Sequence, residues 1–332
     1  MKSVRQNHAV LTAVALVAPG LAVSATPWRG FGELLFVGTI PVLIGLMHGR
    51  KFALWASPAT ATLVVILIIA SPSPIAATIV MASIGLGIGA SSLRGWQTVA
   101  VVTASWPSVL LISPPAALSD HGWLGTGTSV VVFAGVATLL GGAWTLAVTT
   151  ILLPKPPTGQ FAPQSGVTAT VYGASLASLL GGIAFVATTW GAGTMAGWVL
   201  LTVLVVARPG YAETRQRVIT RALGTVVGGI VAGAFGILVP LPALVSVVGL
   251  VCLGAAVILQ LKKANYALYS VALTASIVLL NAGGGRLIEV DAQRVVFTLL
   301  GTLLSGVLVV ILQLILRRPA PDPVGLAVAE AS

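Results

Sequence analysis

Apolar runs of about 18 residues or more, unbroken by charge, recur along this chain and constrain it more than any motif does. They also lack the every-second-residue alternation of a half-buried strand. In lipid every backbone amide and carbonyl must be satisfied internally, so a spanning segment is a helix or part of a closed barrel. The missing alternation selects the helix. Composition agrees: 57% of residues are hydrophobic, 7% are charged and the mean hydropathy is +1.06. Soluble domains carry roughly a quarter charged residues. So little charge could not cover 332 residues in water, which makes lipid the solvent. A net charge of +10 would suggest nucleic acid for a soluble protein. Here topology accounts for it, and no nucleic-acid partner is expected.

Twelve apolar segments centre near Ala15, Gly38, Val64, Ala82, Ala104, Leu140, Leu179, Leu200, Val231, Val251, Ala275 and Leu308. The first, framed by Lys2, Arg5 and Val23-Ser24-Ala25, has the make-up of a secretory signal peptide. A counterpart deep in the chain argues for a retained helix. Gly20, Ala22, Ala25, Thr26 and Trp28 recur in the same spacing as Gly182, Ala184, Ala187, Thr188 and Trp190. Thr103-Ala104-Ser105 recurs as Thr274-Ala275-Ser276. Val131-Val132-Phe133, Thr138-Leu139-Leu140 and Gly142 recur as Val295-Val296-Phe297, Thr302-Leu303-Leu304 and Gly306.

The expected fold is therefore an all-α membrane protein of about twelve transmembrane helices in two homologous six-helix halves. An even number of helices per half makes this a parallel repeat. The halves are 1–153 and 168–318, joined by a cytoplasmic linker at 154–167 and followed by a disordered cytoplasmic tail at 319–332. With a cytoplasmic N-terminus, only Arg29, Arg286 and Arg294 of the 17 basic residues fall on the outer side. That asymmetry places both termini in the cytoplasm. Trp28, Trp96, Trp123 and Trp190 fall near the expected interfaces, where amphipathic rings are favoured.

The most polar stretch is Arg208 to Gly228, with four basic residues and Glu213 between two apolar runs. Pro209 and Gly210 end the incoming helix, one lacking the amide and the other tolerating the turn. In the helix that follows, Thr214, Arg217, Arg221, Thr225 and Gly228 share roughly one face. Glu213 stands four residues before Arg217, the favourable order for an ion pair. Gly224, Gly228, Gly229 and Gly233 are small residues four apart, as are Gly85 and Gly89; with Gly301 they are candidates for close helix packing. A packing seam and a substrate path are both open for them.

Several chemistries are absent. No acidic residue lies in the middle of an apolar run, against an aspartate-rich metal site or an evident carboxylate proton relay. No phosphate-binding loop motif is present, Cys252 stands alone, and His8, His48 and His121 have no metal-ligand spacing. No enzyme, metal or cofactor is expected. What remains is basic. Arg208, Arg215, Arg217 and Arg221 either hold a loop in the cytoplasm or bind an anion at a helix N-terminus, where guanidinium geometry and helix dipole both favour a carboxylate. Arg294 sits on the wrong side for a topological role, with Asp291 three residues earlier as an alternative partner. Arg221/Thr225/Gly228 and Arg294/Thr298/Gly301 share the pattern Arg-x-x-x-Thr-x-x-Gly, one entering from inside and the other from outside. The candidate anion-binding set is therefore Arg208, Arg217, Arg221, Thr225, Arg294 and Thr298, with one arginine expected at each mouth of a pathway. Val130 aligns with Arg294 in the first half, so the selective chemistry is expected in the second.

These residues give a resemblance. Arg208-Pro209, Arg221-Ala-Leu-Gly224-Thr225 with Gly228, Asn265-Tyr266, and Arg294-x-x-x-Thr298-x-x-Gly301 resemble the fusaric acid resistance family of aromatic acid exporters. The plant aluminium-activated malate transporters are similar at a greater distance. The resemblance covers roughly Thr194 to Arg318. It implies export of aromatic or other organic acids across the bacterial inner membrane, with proton coupling in many members. The short linker and tail depart from members with sizeable cytoplasmic domains. A passive organic-anion channel and a non-transporting scaffold for envelope biosynthesis are the competing expectations. The expected partners are a small organic anion, the bilayer and, optionally, a second copy in a homodimer.

Overall fold

A computed structural model describes residues 2–24, 26, 29–112, 127–152, 162–191, 194–239, 241–261, 265–281 and 287–316. Twelve described helices hold the twelve segment centres: α1 (Lys2–Ser24), α2 (Arg29–Leu46), α3 (Arg50–Ala70), α4 (Pro74–Ser92), α5 (Gln97–Val109) and α6 (Thr128–Leu152), then α7 (Gly166–Trp190), α8 (Gly197–Val206), α9 (Tyr211–Leu238), α10 (Pro242–Leu261), α11 (Tyr266–Asn281) and α12 (Leu287–Leu316). No strand occurs among the described residues. Local chemistry sets several starts. Ser73 caps α4 by accepting from the Ala76 amide at 3.3 Å, with Pro74 in the first turn. Ser165 caps α7 from the Thr168 amide at 3.2 Å. Asn265 caps α11, its Oδ1 taking the Ala267 amide at 2.8 Å.

Helix length divides the set. Six helices, α3, α4, α6, α7, α9 and α12, are long and apolar enough to cross a membrane. The rest are shorter or less apolar along the stretch described. α8, with 10 residues, reaches only about 15 Å, against a hydrocarbon core of about 30 Å. Its residues from Gly197 to Leu204 are all buried. A short helix with irregular ends survives at membrane depth only where protein surrounds it, and α8 is so surrounded.

The helices pack in matching pairs. α2 and α3 pack on α6, and α8 and α9 on α12; α5 packs on α3 and α4, and α11 on α9 and α10. α1 lies on α2 and α6, as α7 lies on α8 and α12. Across the middle, α4 packs along α7 and α1 touches α10. The α4–α7 contact is the tighter. A Cβ on Gly85 would stand 2.5 Å from the Ala177 amide, and one on Gly89 would collide with Gly173. Backbones this close gain dispersion along their whole length, the means of association available in lipid. One apolar cluster joins Leu67 and Met81 to Leu176, Leu200 and Leu308, so first and second halves share a core.

Outside the described residues lie most of the linker (154–161), the tail, Trp28, Trp123, His121, Lys155, Lys262, Lys263, Arg286, Arg317 and Arg318. The topology drawn from those cations therefore remains an expectation of the sequence.

Candidate anion-binding site

α8 ends at Ala207 and the chain turns through Arg208, Pro209 and Gly210. Thr214 staples the turn: the Arg208 amide donates to Thr214 Oγ1 at 2.9 Å, and that hydroxyl donates to the Arg208 carbonyl at 3.0 Å. Tyr172 on α7 donates its phenol to the Ala207 carbonyl at 3.2 Å. Glu213 lies between two cations, 3.7 Å from Arg208 Nε and 3.3 Å from Arg217 Nη2. Arg217 also rests 5.4 Å from the Tyr266 ring centre. Burial first, and then the like charge of Arg217, pull the Arg208 guanidinium below its ordinary value, to about 10. It stays a cation at neutral pH. Arg208 and Arg217 thus share one carboxylate, while Arg215 is exposed.

The face read from sequence is the buried face of α9: Thr214, Arg221, Gly224, Thr225, Gly228 and Gly229 are buried, and Arg217 and Gly233 half-buried. Arg221 is 1% exposed, with Nη1 3.5 Å from Ser270 Oγ on α11. Among the described residues no carboxylate comes within ion-pairing distance of it. Glycine makes this depth accessible: a Cβ on Gly224 would lie 2.5 Å from the Ser270 Cβ, and one on Gly228 2.8 Å from the Val271 carbonyl.

Arg294 on α12 is 2% exposed. It donates from Nη1 to the Thr274 carbonyl at 3.1 Å, and its guanidinium lies 4.4 Å from the Trp198 ring centre. Ser270 and Thr274 are four residues apart on α11, a rise of about 6 Å. The two arginines, expected at opposite mouths, enter from opposite helix ends yet anchor one turn apart on the same helix. Gly301, two turns below Arg294, lets α12 approach α8; a Cβ there would stand 2.8 Å from the Thr202 Cβ. The side chain of Asp291 lies outside what the structure describes.

Beside Arg294 is a cavity of ≈ 300 Å³ between α2 and α5 on one side and α8, α10, α11 and α12 on the other. Phe36, Trp106 and Trp198 wall it, and Glu33 and Ser276 add polar atoms. The two tryptophans meet edge to face, ring centres 6.0 Å apart. An apolar cavity with a few convergent polar groups is the usual form of a small-molecule site. A larger groove of ≈ 570 Å³ between α3, α4 and α5 has no charged lining residue and includes the exposed Trp55, Ile66 and Ile79. It faces lipid.

Sequence reasoning missed Glu33, Trp106, Trp198 and Ser270, and treated Thr274 only as a repeat marker; Ser276 reads from sequence as a satisfied helix-packing hydroxyl, and it donates to the Leu273 carbonyl at 2.8 Å. Glu33 could have been found, as one of seven acidic residues and the one in the second apolar segment. Nothing in the spacing of the tryptophans announces that they meet. A further feature is visible only in three dimensions. Thr202, Thr225, Thr274 and Thr298 bury hydroxyls that have no hydrogen-bond partner.

Comparison with known proteins identifies part of the chain. Residues 179–309 match the family described as Fusaric acid resistance protein-like, a stretch that covers α8 to α11, the second half of α7 and most of α12. A protein of Escherichia coli (strain K12) described as "Uncharacterized protein YhfK" is 56% identical over 36 residues, 11% of this chain and 5% of that protein. The chain thus spans a small part of that relative. No solved structure matches. The plant malate transporters remain a resemblance of the sequence, beyond what these matches reach. Helix content and this match agree on a multi-pass membrane protein, with residues 179–309 similar to the fusaric acid resistance protein-like family.

Proposed function

Starting from a fusaric acid resistance protein-like region at residues 179–309, we propose that this chain is a bacterial inner-membrane transporter that exports organic acids, aromatic carboxylates foremost. The observation that carries the reading is the buried Arg294 guanidinium at the wall of a cavity framed by Phe36, Trp106 and Trp198. A guanidinium fork matches a carboxylate, and ring faces and edges suit an aromatic body. Arg208, Arg217 and Arg221 draw the anion to the cytoplasmic side, Thr225 and Thr298 supply hydroxyls on its way, and Arg294 is the last cation before release. Alternating access moves one six-helix half against the other. The matching helix pairs of α1–α6 and α7–α12 support that repeat, with both termini cytoplasmic. Glu33 in the same cavity supports coupling to protons, since a carboxylate that loses its proton competes with the substrate for the guanidinium.

The test is efflux of radiolabelled benzoate from proteoliposomes. The expected result is flux accelerated by an imposed pH gradient and lowered about a hundredfold in Arg294→Ala at unchanged protein level. Absence of flux for every aromatic and dicarboxylic acid in a panel contradicts the transporter. Steady current without a gradient replaces it with a passive channel.

A further inference from the structure

Among the described residues of the second half, four threonine hydroxyls and the Nε of Arg221 lack the partners their burial demands. Thr202, Thr225, Thr274 and Thr298 are at most 1% exposed, as is Arg221, whose Nε also has no hydrogen-bond acceptor. A threonine inside a helix ordinarily resolves this by donating to the carbonyl four residues back. The first half does so throughout its described core: Thr60 donates to Ala56, Thr103 to Val99, Thr138 to Ala134 and Thr145 to Gly141. Thr302 does the same on α12, one turn from Thr298. The open hydroxyls are therefore a local choice of rotamer and not a consequence of helix or membrane. Buried polar groups without partners call for a ligand, a water or a strain to explain them.

Their arrangement is ordered. α9 and α11 run in parallel, since Gly224 meets Ser270 and Gly228, four residues on, meets Thr274. α12 follows α11 after a connection of five residues and returns in the opposite direction, with Arg294 reaching back to the Thr274 carbonyl. Thr225 is one turn beyond Arg221, and Thr298 one turn beyond Arg294. Because the helices oppose each other, the two hydroxyls step from the two arginines into the same layer. We propose that Arg221, Thr225, Thr274 and Thr298 form the closed neck of a carboxylate pathway that runs inside the second half, through the α9–α11–α12 interface, and opens at Arg294 into the aromatic-walled cavity. The neck deepens the export reading above and rests on it.

The ligand is an anion because the surplus is cationic. A water molecule satisfies a hydroxyl but leaves the Arg221 charge without a counter-ion, and buried charges are paired or costly. A carboxylate accepts about four hydrogen bonds; Arg221 Nε with Thr225, Thr274 and Thr298 would offer as many donors. In the conformation described the neck is shut around these groups.

The test uses the purified full chain in detergent, with thermal unfolding followed during titration with sodium benzoate, and with sodium chloride at equal ionic strength. Benzoate is expected to raise the midpoint saturably. Thr225→Val and Thr298→Val are expected to raise the apparent Kd at least tenfold, while the ligand-free midpoint stays level or rises because an unsatisfied group has gone. Thr138→Val, whose hydroxyl is bonded to its own helix, should leave the Kd unchanged and lower the midpoint. Wild-type benzoate affinity in both variants overturns the neck, and with benzoate flux intact it leaves export standing. A ligand-free midpoint that falls in Thr225→Val and Thr298→Val as in Thr138→Val makes these hydroxyls structural and also overturns it. An equal response to chloride overturns the carboxylate assignment. No benzoate response together with no flux overturns export itself.

Discussion

α1–α6 and α7–α12 use one packing scheme for opposite ends. In the first half Thr103 closes its hydroxyl onto Val99 at 2.8 Å, Val130 and Ala134 pack among apolar neighbours, and Thr138 bonds to Ala134. At the positions that the repeat makes equivalent, Thr274 leaves its hydroxyl open, Arg294 replaces Val130 and Thr298 replaces Ala134. An arginine at the centre of a membrane helix costs about 3 kcal/mol, and each orphaned hydroxyl costs about 1–3 kcal/mol. One half therefore invests in packing, and the other carries unsatisfied groups that a ligand can satisfy. If the proposed repeat supplies the scaffold, the departures from it mark the chemistry.

The largest test of that contrast substitutes equivalent positions. Arg294→Ala is expected to lower benzoate flux about a hundredfold, the value of a lost charge-assisted contact of about 3 kcal/mol. Val130→Ala is expected to change flux less than about twofold, because it removes two methyls from a partly buried site. Proteoliposome efflux at matched protein level reads both; equal effects would erase the distinction between halves. Next comes the aromatic wall. Trp198→Ala removes the ring against Arg294 and one side of the cavity, and is expected to cut preference for benzoate over acetate about tenfold, in line with ring and cation–π contributions of about 1–1.5 kcal/mol. An unchanged ratio would remove the cavity from substrate selection.

A smaller effect differs in sign. Thr103→Val deletes a satisfied hydroxyl and should lower stability by about 1 kcal/mol, whereas Thr274→Val deletes an unsatisfied one and should hold or raise it. Thermal unfolding of the two proteins in one detergent separates them, and a matching loss would place both halves under the same rule. The smallest effect is at the cytoplasmic turn. Glu213→Gln leaves Arg208 and Arg217 without their shared carboxylate and should lower the KM for the anion by about two- to fivefold at constant kcat, as expected of a part-exposed pair worth up to about 1 kcal/mol. The gain should shrink as salt screens it. A rise in KM would mean that Glu213 orients the cations instead of masking them.

Much of this was legible before any coordinates. Uninterrupted apolar runs located all twelve described helices, since segment length and polarity are local properties. The 3.6-residue period placed Thr214, Arg221, Thr225 and Gly228 together on the face of α9 that turned out buried. Spanning length was less legible, because α8 is short and enclosed, and enclosure depends on its neighbours. The cavity was not legible: Trp106 and Trp198 lie 92 residues apart and meet only because α5 packs on α8. Arg221 and Arg294 were each singled out, but their convergence on Ser270 and Thr274 needs the register of α9 and α12 against α11. No spacing within either helix encodes that register.

Water and substrate should reach the second half and not the first. Single cysteines at Thr298 and at its counterpart Ala134, in a Cys252→Ser background, can be labelled with a small thiol reagent in membranes with and without benzoate. Modification of Thr298→Cys that benzoate slows, with Ala134→Cys inert, is the predicted result. Benzoate-protected labelling of Ala134→Cys, with Thr298→Cys inert, would contradict it.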